Sequence, residues 1–287
     1  MPATGVRAAA SSHGTGQFLK HGPNMVFALF ALGGSSSTDK YKFSGDTVTA
    51  ATSLTASLSG GFAAGNAFVG IFALGANLTT TDKYTYSNNS MASTTALTAT
   101  ANNGAAAGNN TLGIFATGRA SNRIDKFTYS TSAVISSTSL GTNLNSGAAC
   151  GTSAFGLFCI GSNTKNTEIY TYGSDTVAVS TSLLVNSNSG DATGNAVVGI
   201  VAMGKSLTTT NKFTYATATV TAATNLTAGL TNGAASSNST TGIFALGGST
   251  ATNKYTYAGD TVGTTTNLSA SAVSGTAVTN GVVGVNL

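Results

Sequence analysis

One phrase returns six times along this chain. The tetrapeptide Phe-Ala-Leu-Gly, or a close variant, ends at Gly33, Gly75, Gly118, Gly161, Gly204 and Gly247. The successive spacings are 42, 43, 43, 43 and 43 residues. A period this regular means that one supersecondary unit has been copied. It therefore constrains the fold before any single residue is weighed.

Each copy reads as strands. In the copy from 60 to 102, Gly60 to Ala64 reads as a short strand. Gly65-Asn66 reads as a turn, because both residue types tolerate positive φ. Ala67 to Leu74 is a continuous apolar run, the mark of a strand buried on both faces. Gly75 ends it, and the Thr79-Thr80-Thr81 loop follows. Lys83-Tyr84-Thr85-Tyr86 alternates with period two, as a half-buried strand does. Ser87-Asn88-Asn89 turns the chain, and Met91 to Leu97 reads as a fourth strand. The aromatic pair recurs as Tyr41/Phe43, Phe127/Tyr129, Tyr170/Tyr172, Phe213/Tyr215 and Tyr255/Tyr257. No helical periodicity appears. Four antiparallel strands per roughly 43 residues fit a propeller blade. The expected fold is all-β, a β-propeller of about six four-stranded blades, with seven as the alternative.

The chain enters the repeat near the second strand of one blade and ends with first- and second-strand sequence. Gly275 to Asn280 is expected to supply the inner strand that the first blade lacks, which would remove exposed sheet edges. The sequence from Gly281 to Leu287 resembles a truncated seventh copy. Residues 1–22 lie outside the repeat and read as an extended arm before a propeller at 23–287. The arm carries Arg7, His13, Lys20 and His21.

The order of strand, Gly-Asn turn, apolar strand, double glycine and aromatic strand resembles the kelch repeat. The double glycine stands at Gly33-Gly34 and Gly247-Gly248; the other copies keep one glycine, and the kelch tryptophan is missing. The wording of the repeat also resembles repeat proteins encoded by tailed bacteriophages, cyanophages among them. That second resemblance implies a place in a virion, after synthesis in a host cytoplasm.

Charged residues are only 7% of the 287, against about a quarter in ordinary soluble proteins. The net charge of +4 comes from 12 Lys/Arg and 8 Asp/Glu with no basic run. Nucleic-acid binding is therefore not expected. No apolar run approaches the roughly 18 residues of a membrane span, and no signal-peptide pattern is expected at the start. Cys150 and Cys159 fall in one copy where others carry alanine, so two buried free thiols are expected.

Catalysis would need groups that break the repeat. Asp39, Asp82 and Asp125 share one repeat position, later filled by Glu168, Asn211 and Asn253. Asp46, Asp175 and Asp260 sit in hairpin turns, where aspartate caps its own backbone. Asp191 alone falls outside both sets. No histidine lies within the repeats, so a nucleophilic triad or a histidine-ligated metal is not expected there. No enzyme activity and no cofactor are expected.

Lys40, Lys83, Lys126, Lys212 and Lys254 recur beside the aromatic strand, with Ile169 interrupting the series. They read either as solvated strand-edge charges or as a ring that docks an acidic partner. Arg119 and Arg123 in one loop, and Lys205 in the matching loop two copies on, are departures from the repeat where partner specificity could reside. The expected function is a non-enzymatic structural or accessory protein of a phage virion: capsid decoration, tail or fibre. Its partners would be other virion proteins or copies of itself. The alternative is a module that binds a glycan or protein on the host surface.

Overall fold

The structure, a computed structural model, describes residues 26–280. They form six sheets of four antiparallel strands, with no helix among the described residues. Blade 1 holds β1 (Phe27–Ala31), β2 (Thr38–Lys42) and β3 (Thr47–Ala50). Blade 2 holds β4 (Phe62–Gly65), β5 (Val69–Ala73), β6 (Thr81–Thr85) and β7 (Ser90–Ser93). Blade 3 holds β8 (Ala105–Gly108), β9 (Leu112–Ala116), β10 (Ile124–Thr128) and β11 (Ala133–Ser136). Blade 4 holds β12 (Ala148–Gly151), β13 (Phe155–Cys159), β14 (Thr167–Thr171) and β15 (Thr176–Val179). Blade 5 holds β16 (Asp191–Gly194), β17 (Val198–Ala202), β18 (Thr210–Thr214) and β19 (Thr219–Ala222). Blade 6 holds β20 (Ala234–Ser237), β21 (Thr241–Ala245), β22 (Thr252–Thr256) and β23 (Thr261–Thr264).

The last strand, β24 (Thr276–Thr279), returns to blade 1 and pairs antiparallel with β1, Ala28 opposite Thr279 and Ala31 opposite Thr276. The join expected from Gly275 to Asn280 is therefore present. It fills blade 1 rather than founding a new blade, so the ring has six blades and the seven-blade alternative falls. The arm and the truncated copy after Gly281 lie outside the described residues.

Local chemistry trims the strands that the sequence suggests. Gly65 and Asn66 do not adopt positive φ. Instead the Asn66 side-chain oxygen accepts the amides of Phe68 and Val69, and its amide donates to Asn110 O in the next blade. This Asx turn consumes Ala67 and Phe68, so the apolar strand begins at Val69. The fourth strand stops at Ser93, and the chain then crosses the upper face toward the next blade. Leu97 on that crossing is buried, as are Leu54, Leu140, Leu183, Leu226 and Leu268 at the matching places. Gly75, which ends the apolar strand, has φ of 71° and lies so close to Ser59 O that a Cβ would sit 2.1 Å from it. The φ favours glycine, and the close approach leaves no room for a side chain.

The core lies between blades. One cluster joins Ile71, Phe62 and Leu97 to Phe115, Phe127 and Tyr129 across the seam of blades 2 and 3. The seam of blades 4 and 5 differs: Val201 stands in the apolar strand and Met203 just beyond its end, and the buried residues fall into two smaller clusters.

The second aromatic of each pair explains another glycine. The hydroxyls of Tyr86, Tyr129 and Tyr172 are buried without a hydrogen-bond partner, and that of Tyr215 meets only the weakly bonding Cys150 thiol. A Cβ placed on Gly70, Gly113, Gly156 or Gly199 would lie 2.8–3.2 Å from the hydroxyl of its own blade. Blade 1 has Phe43 in place of tyrosine, and there the glycine position is Ala28, fully buried. The pair thus varies together. Gly113→Ala is expected to cost about 1–3 kcal/mol by overpacking. Adding Tyr129→Phe should recover part of it, because an unpartnered buried hydroxyl contributes little. Urea unfolding of both variants measures this, and equal losses would refute the coupling.

Candidate functional site

The polar side chains that the repeat conserves converge on the seams. On the upper side of each seam, a third-strand side chain accepts a backbone amide from the preceding blade. Asp82 takes Thr55 N at 2.7 Å, Asp125 takes Thr98 N at 2.7 Å, and Glu168 takes Gly141 N at 2.7 Å. Asn211 takes Leu184 N at 2.8 Å, Asn253 takes Thr227 N at 2.8 Å, and Asp39 takes Ser269 N at 2.7 Å. All six acceptors are buried. The three aspartates face a Thr or Ser whose hydroxyl fills their second oxygen. Where Leu184 offers no hydroxyl, the acceptor is Asn211, whose amide donates to Thr210 O. Gly141 offers none either, and Glu168 Oε1 is left without a partner.

The lower rim carries a second set of clips. Lys126 reaches Asp175 at 2.7 Å, Lys212 reaches Asp260 at 3.0 Å, and Lys254 reaches Asp46 at 2.7 Å, each in the next blade. Lys40 reaches Asn89 at 2.6 Å and Lys83 reaches Ser132 at 3.3 Å in the same way. The hairpin aspartates therefore bind across the seam and hold a tyrosine hydroxyl of their own blade, rather than capping their own backbone. Tyr41 donates to Asp46 at 2.6 Å, Tyr84 to Asn89 at 2.8 Å, and Tyr170 and Tyr255 to Asp175 and Asp260. Blades 3 and 5 have Phe127 and Phe213 at that position, and their turns carry Ser132 and Ala218. Where Ile169 interrupts the lysines, the matching turn residue in the next blade is Ala218, so clip and partner are lost together.

These aspartates titrate accordingly. Burial acts to raise Asp46, but hydrogen bonds from Lys254 and Tyr41 outweigh it and hold it below the usual carboxylate range. Asp175, held by Lys126, Ser137 and Tyr170, and Asp260, held by Tyr255, Thr224 and Lys212, are also lowered. Burial pushes the Tyr170 hydroxyl up to about 12. Lys40 is lowered by burial and by repulsion from Lys42, and its ammonium lies 4.2 Å from the Phe27 ring centre.

The loop cations belong to the opposite, upper face. Arg119 donates to Thr100 at 3.1 Å and Arg123 to Thr98 at 3.4 Å, both on the crossing from blade 2. Lys205 donates to Asn163 in blade 4 at 2.6 Å. The structure does not bring Lys205 to the arginines. Arg7, His13, Lys20 and His21 lie outside the described residues. Cys150 and Cys159 are free and buried, and burial pushes the Cys150 thiol up to about 11.

The inner strands surround an axial channel. Ala63, Ala106, Ala149, Ala192, Ala235 and Ala277 meet at its waist, between an upper cavity of about 110 Å³ and a lower one of about 120 Å³. Around the upper mouth the backbone is laced blade to blade. Asn103 N donates to Gly60 O, Ser146 N to Asn103 O, Ser189 N to Ser146 O, Asn232 N to Ser189 O and Ser274 N to Asn232 O. These residues all have positive φ, which turns each amide toward its neighbour.

Sequence reasoning missed the seam role of these acids and lysines. The signal was present as a fixed offset: 27 residues from Thr55 to Asp82 and from Thr98 to Asp125, and 49 from Lys83 to Ser132 and from Lys126 to Asp175.

A ring of six four-stranded antiparallel blades closed by its terminal strand defines the chain as a six-bladed β-propeller. A solved structure with the same architecture is found in a crystal structure of a nidogen/laminin complex, at a TM-score of 0.68 and 8% identity. The match covers 88% of this chain and 98% of that one. At that identity it speaks for the fold alone. No family model matches the chain, and no curated protein matches it.

Two outcomes are expected from the clips. Ile169→Lys with Ala218→Asp should install the missing one and add about 0.2–1 kcal/mol, as exposed pairs do; the single Ile169→Lys change should not. Thermal midpoints of the two variants decide it. The lowered aspartates contribute stability that is present above their unfolded pKa, about 3.9, and lost as pH falls through the folded values. The triple variant Asp46→Asn/Asp175→Asn/Asp260→Asn should therefore be less stable at pH 7 and lose less on acidification below pH 4.

Proposed function

We propose that this protein is a rigid, non-enzymatic interaction scaffold serving as an accessory structural component of a phage particle. Three features support the reading. The wording of the repeat resembles phage-encoded repeat proteins of kelch-like architecture. Seven of the eight acidic residues are engaged at seams or rims, which leaves no pair of carboxylates facing a substrate-sized cleft among the described residues. Six blades laced along both edges make a disc that resists deformation.

The observation that carries the reading is where exposed apolar residues depart from the repeat. Val179 is 84% exposed, Leu184 46% and Val185 37%, all in the outer strand and upper crossing of blade 4. The other copies place Ala50, Ser93, Ser136, Ala222 or Thr264 where Val179 stands, and Thr55, Thr98, Gly141, Thr227 or Ser269 where Leu184 stands. A cluster of this kind on one blade fits a docking edge for another virion protein or a second copy.

Cosedimentation with purified particles tests the proposal. The protein is expected to travel with virions, and Val179→Asp with Leu184→Asp is expected to cut its incorporation at least tenfold while leaving the circular dichroism unchanged. Absence from particles, or equal incorporation of the folded variant, would overturn it.

A further inference from the structure

The chain holds eight Asp and Glu residues. Four of them accept a backbone amide at a seam, and three bind a lysine at the lower rim. Asp191 belongs to neither set: it meets no lysine, and the backbone amide beside its carboxyl is that of Gly233, at the inner edge of the seam with blade 6. It opens β16, at the position filled by Phe62, Ala105, Ala148, Ala234 and Thr276 in the other blades. It lines the upper axial cavity and, among the described residues, is the only titratable one that does. Its Oδ2 is buried without a hydrogen-bond partner and lies 3.1 Å from where a Cβ on Gly233 would stand, so it sits in the cavity wall between blades 5 and 6. A carboxylate buried beside a single backbone amide recovers only part of the hydrogen bonding it has in water, and that costs free energy. Alanine, which three other blades use here, would avoid that cost.

The surrounding chemistry says what would offset it. Ser146, Ser189, Asn103, Asn232 and Ser274 line the same mouth, residues that carry hydroxyl and amide oxygens, and no lysine, arginine or histidine is among the described lining residues. One carboxylate among neutral oxygens, in a cavity of about 110 Å³, is an environment for a small hard cation that keeps part of its water. We propose that the upper axial mouth is a cation-binding site anchored by Asp191, taking a metal ion or the ammonium end of a small amine.

The bond between ligand and carboxylate competes with a proton. Burial holds the Asp191 carboxyl well above the usual carboxylate range, with the Gly233 amide pulling the other way. A group raised in this way binds its proton more tightly in the folded state. Without a cation, folded stability therefore falls as pH rises from the unfolded value of about 3.9 toward the folded one. A bound cation opposes that fall by favouring the ionised form.

The test uses the full chain at pH 7 and its thermal midpoint. Calcium chloride and methylammonium chloride are titrated separately, against tetramethylammonium chloride at matched ionic strength as a cation that has no N–H to donate and a charge shielded by methyl groups. At least one of the two is expected to raise the midpoint saturably in the wild type. A response to calcium assigns a metal ion, and one to methylammonium assigns an amine. Asp191→Asn should weaken the apparent affinity at least tenfold. Asp191→Ala, the residue of three other blades, should fold, lose the response and lose the decline in stability with rising pH. No response beyond the control with either salt would overturn the proposal, as would equal responses in wild type and Asp191→Ala.

Discussion

One contact recurs at every seam of the ring: a buried third-strand side chain accepting a backbone amide from the blade before it. The crossings that carry the chain between blades run over the upper face, where their amides would otherwise be left to solvent. Asp39, Asp82, Asp125, Glu168, Asn211 and Asn253 hold one amide each, at 2.7–2.8 Å. This positions the crossing leucines over the core and fixes the angle between sheets. The lower-rim lysines, the hairpin aspartates and the laced mouth all presuppose that spacing. A buried acceptor that loses its donor costs about 1–3 kcal/mol, so the contact is worth more in keeping the register than its net strength suggests.

The seams are not equal. Between blades 4 and 5 the lysine clip is absent, Val201 and Met203 replace the usual phenylalanine and leucine, and the acceptor is an amide facing Leu184. The exposed apolar residues of blade 4 lie beside the same seam, and Asp191 begins the inner strand just beyond it. Departures from a repeat accumulate where selection on packing has been relaxed or redirected, and here three kinds of departure occupy one sector. That concentration is what a binding edge on a rigid disc requires. The seam gives up redundant clips, and Val179, Leu184 and Val185 face outward beside it.

Much of the architecture was legible in the repeat. The spacing of the closing glycines gave the unit, and the mismatch between chain ends and unit boundaries gave the closure by Gly275 to Asn280. The strand limits were less legible, because Asn66 spends its side chain on an Asx turn that pulls Ala67 and Phe68 out of the strand. The polar residues were least legible. Asp82 and Lys83 are neighbours in sequence and look like a charge pair, yet in the sheet they point to opposite faces. Each then finds its partner in a different blade, Asp82 behind it and Lys83 ahead. Only comparison of copies at the offset of one blade, with Ile169 and Ala218 changing together, reveals such pairing. Asp191 was visible as an exception, but its place in the axial wall needed the ring to be closed.

The central claim is that these six buried acceptors lock the crossings into the ring. Native-state hydrogen exchange of the amides of Thr55, Thr98, Gly141, Leu184, Thr227 and Ser269 tests it most directly. These amides lie in loops, outside any strand. They are expected to be protected to the same degree as the central-strand amides of Phe72 and Phe115, opening only with the blades themselves. Exchange at the rate of exposed loop amides would contradict the account.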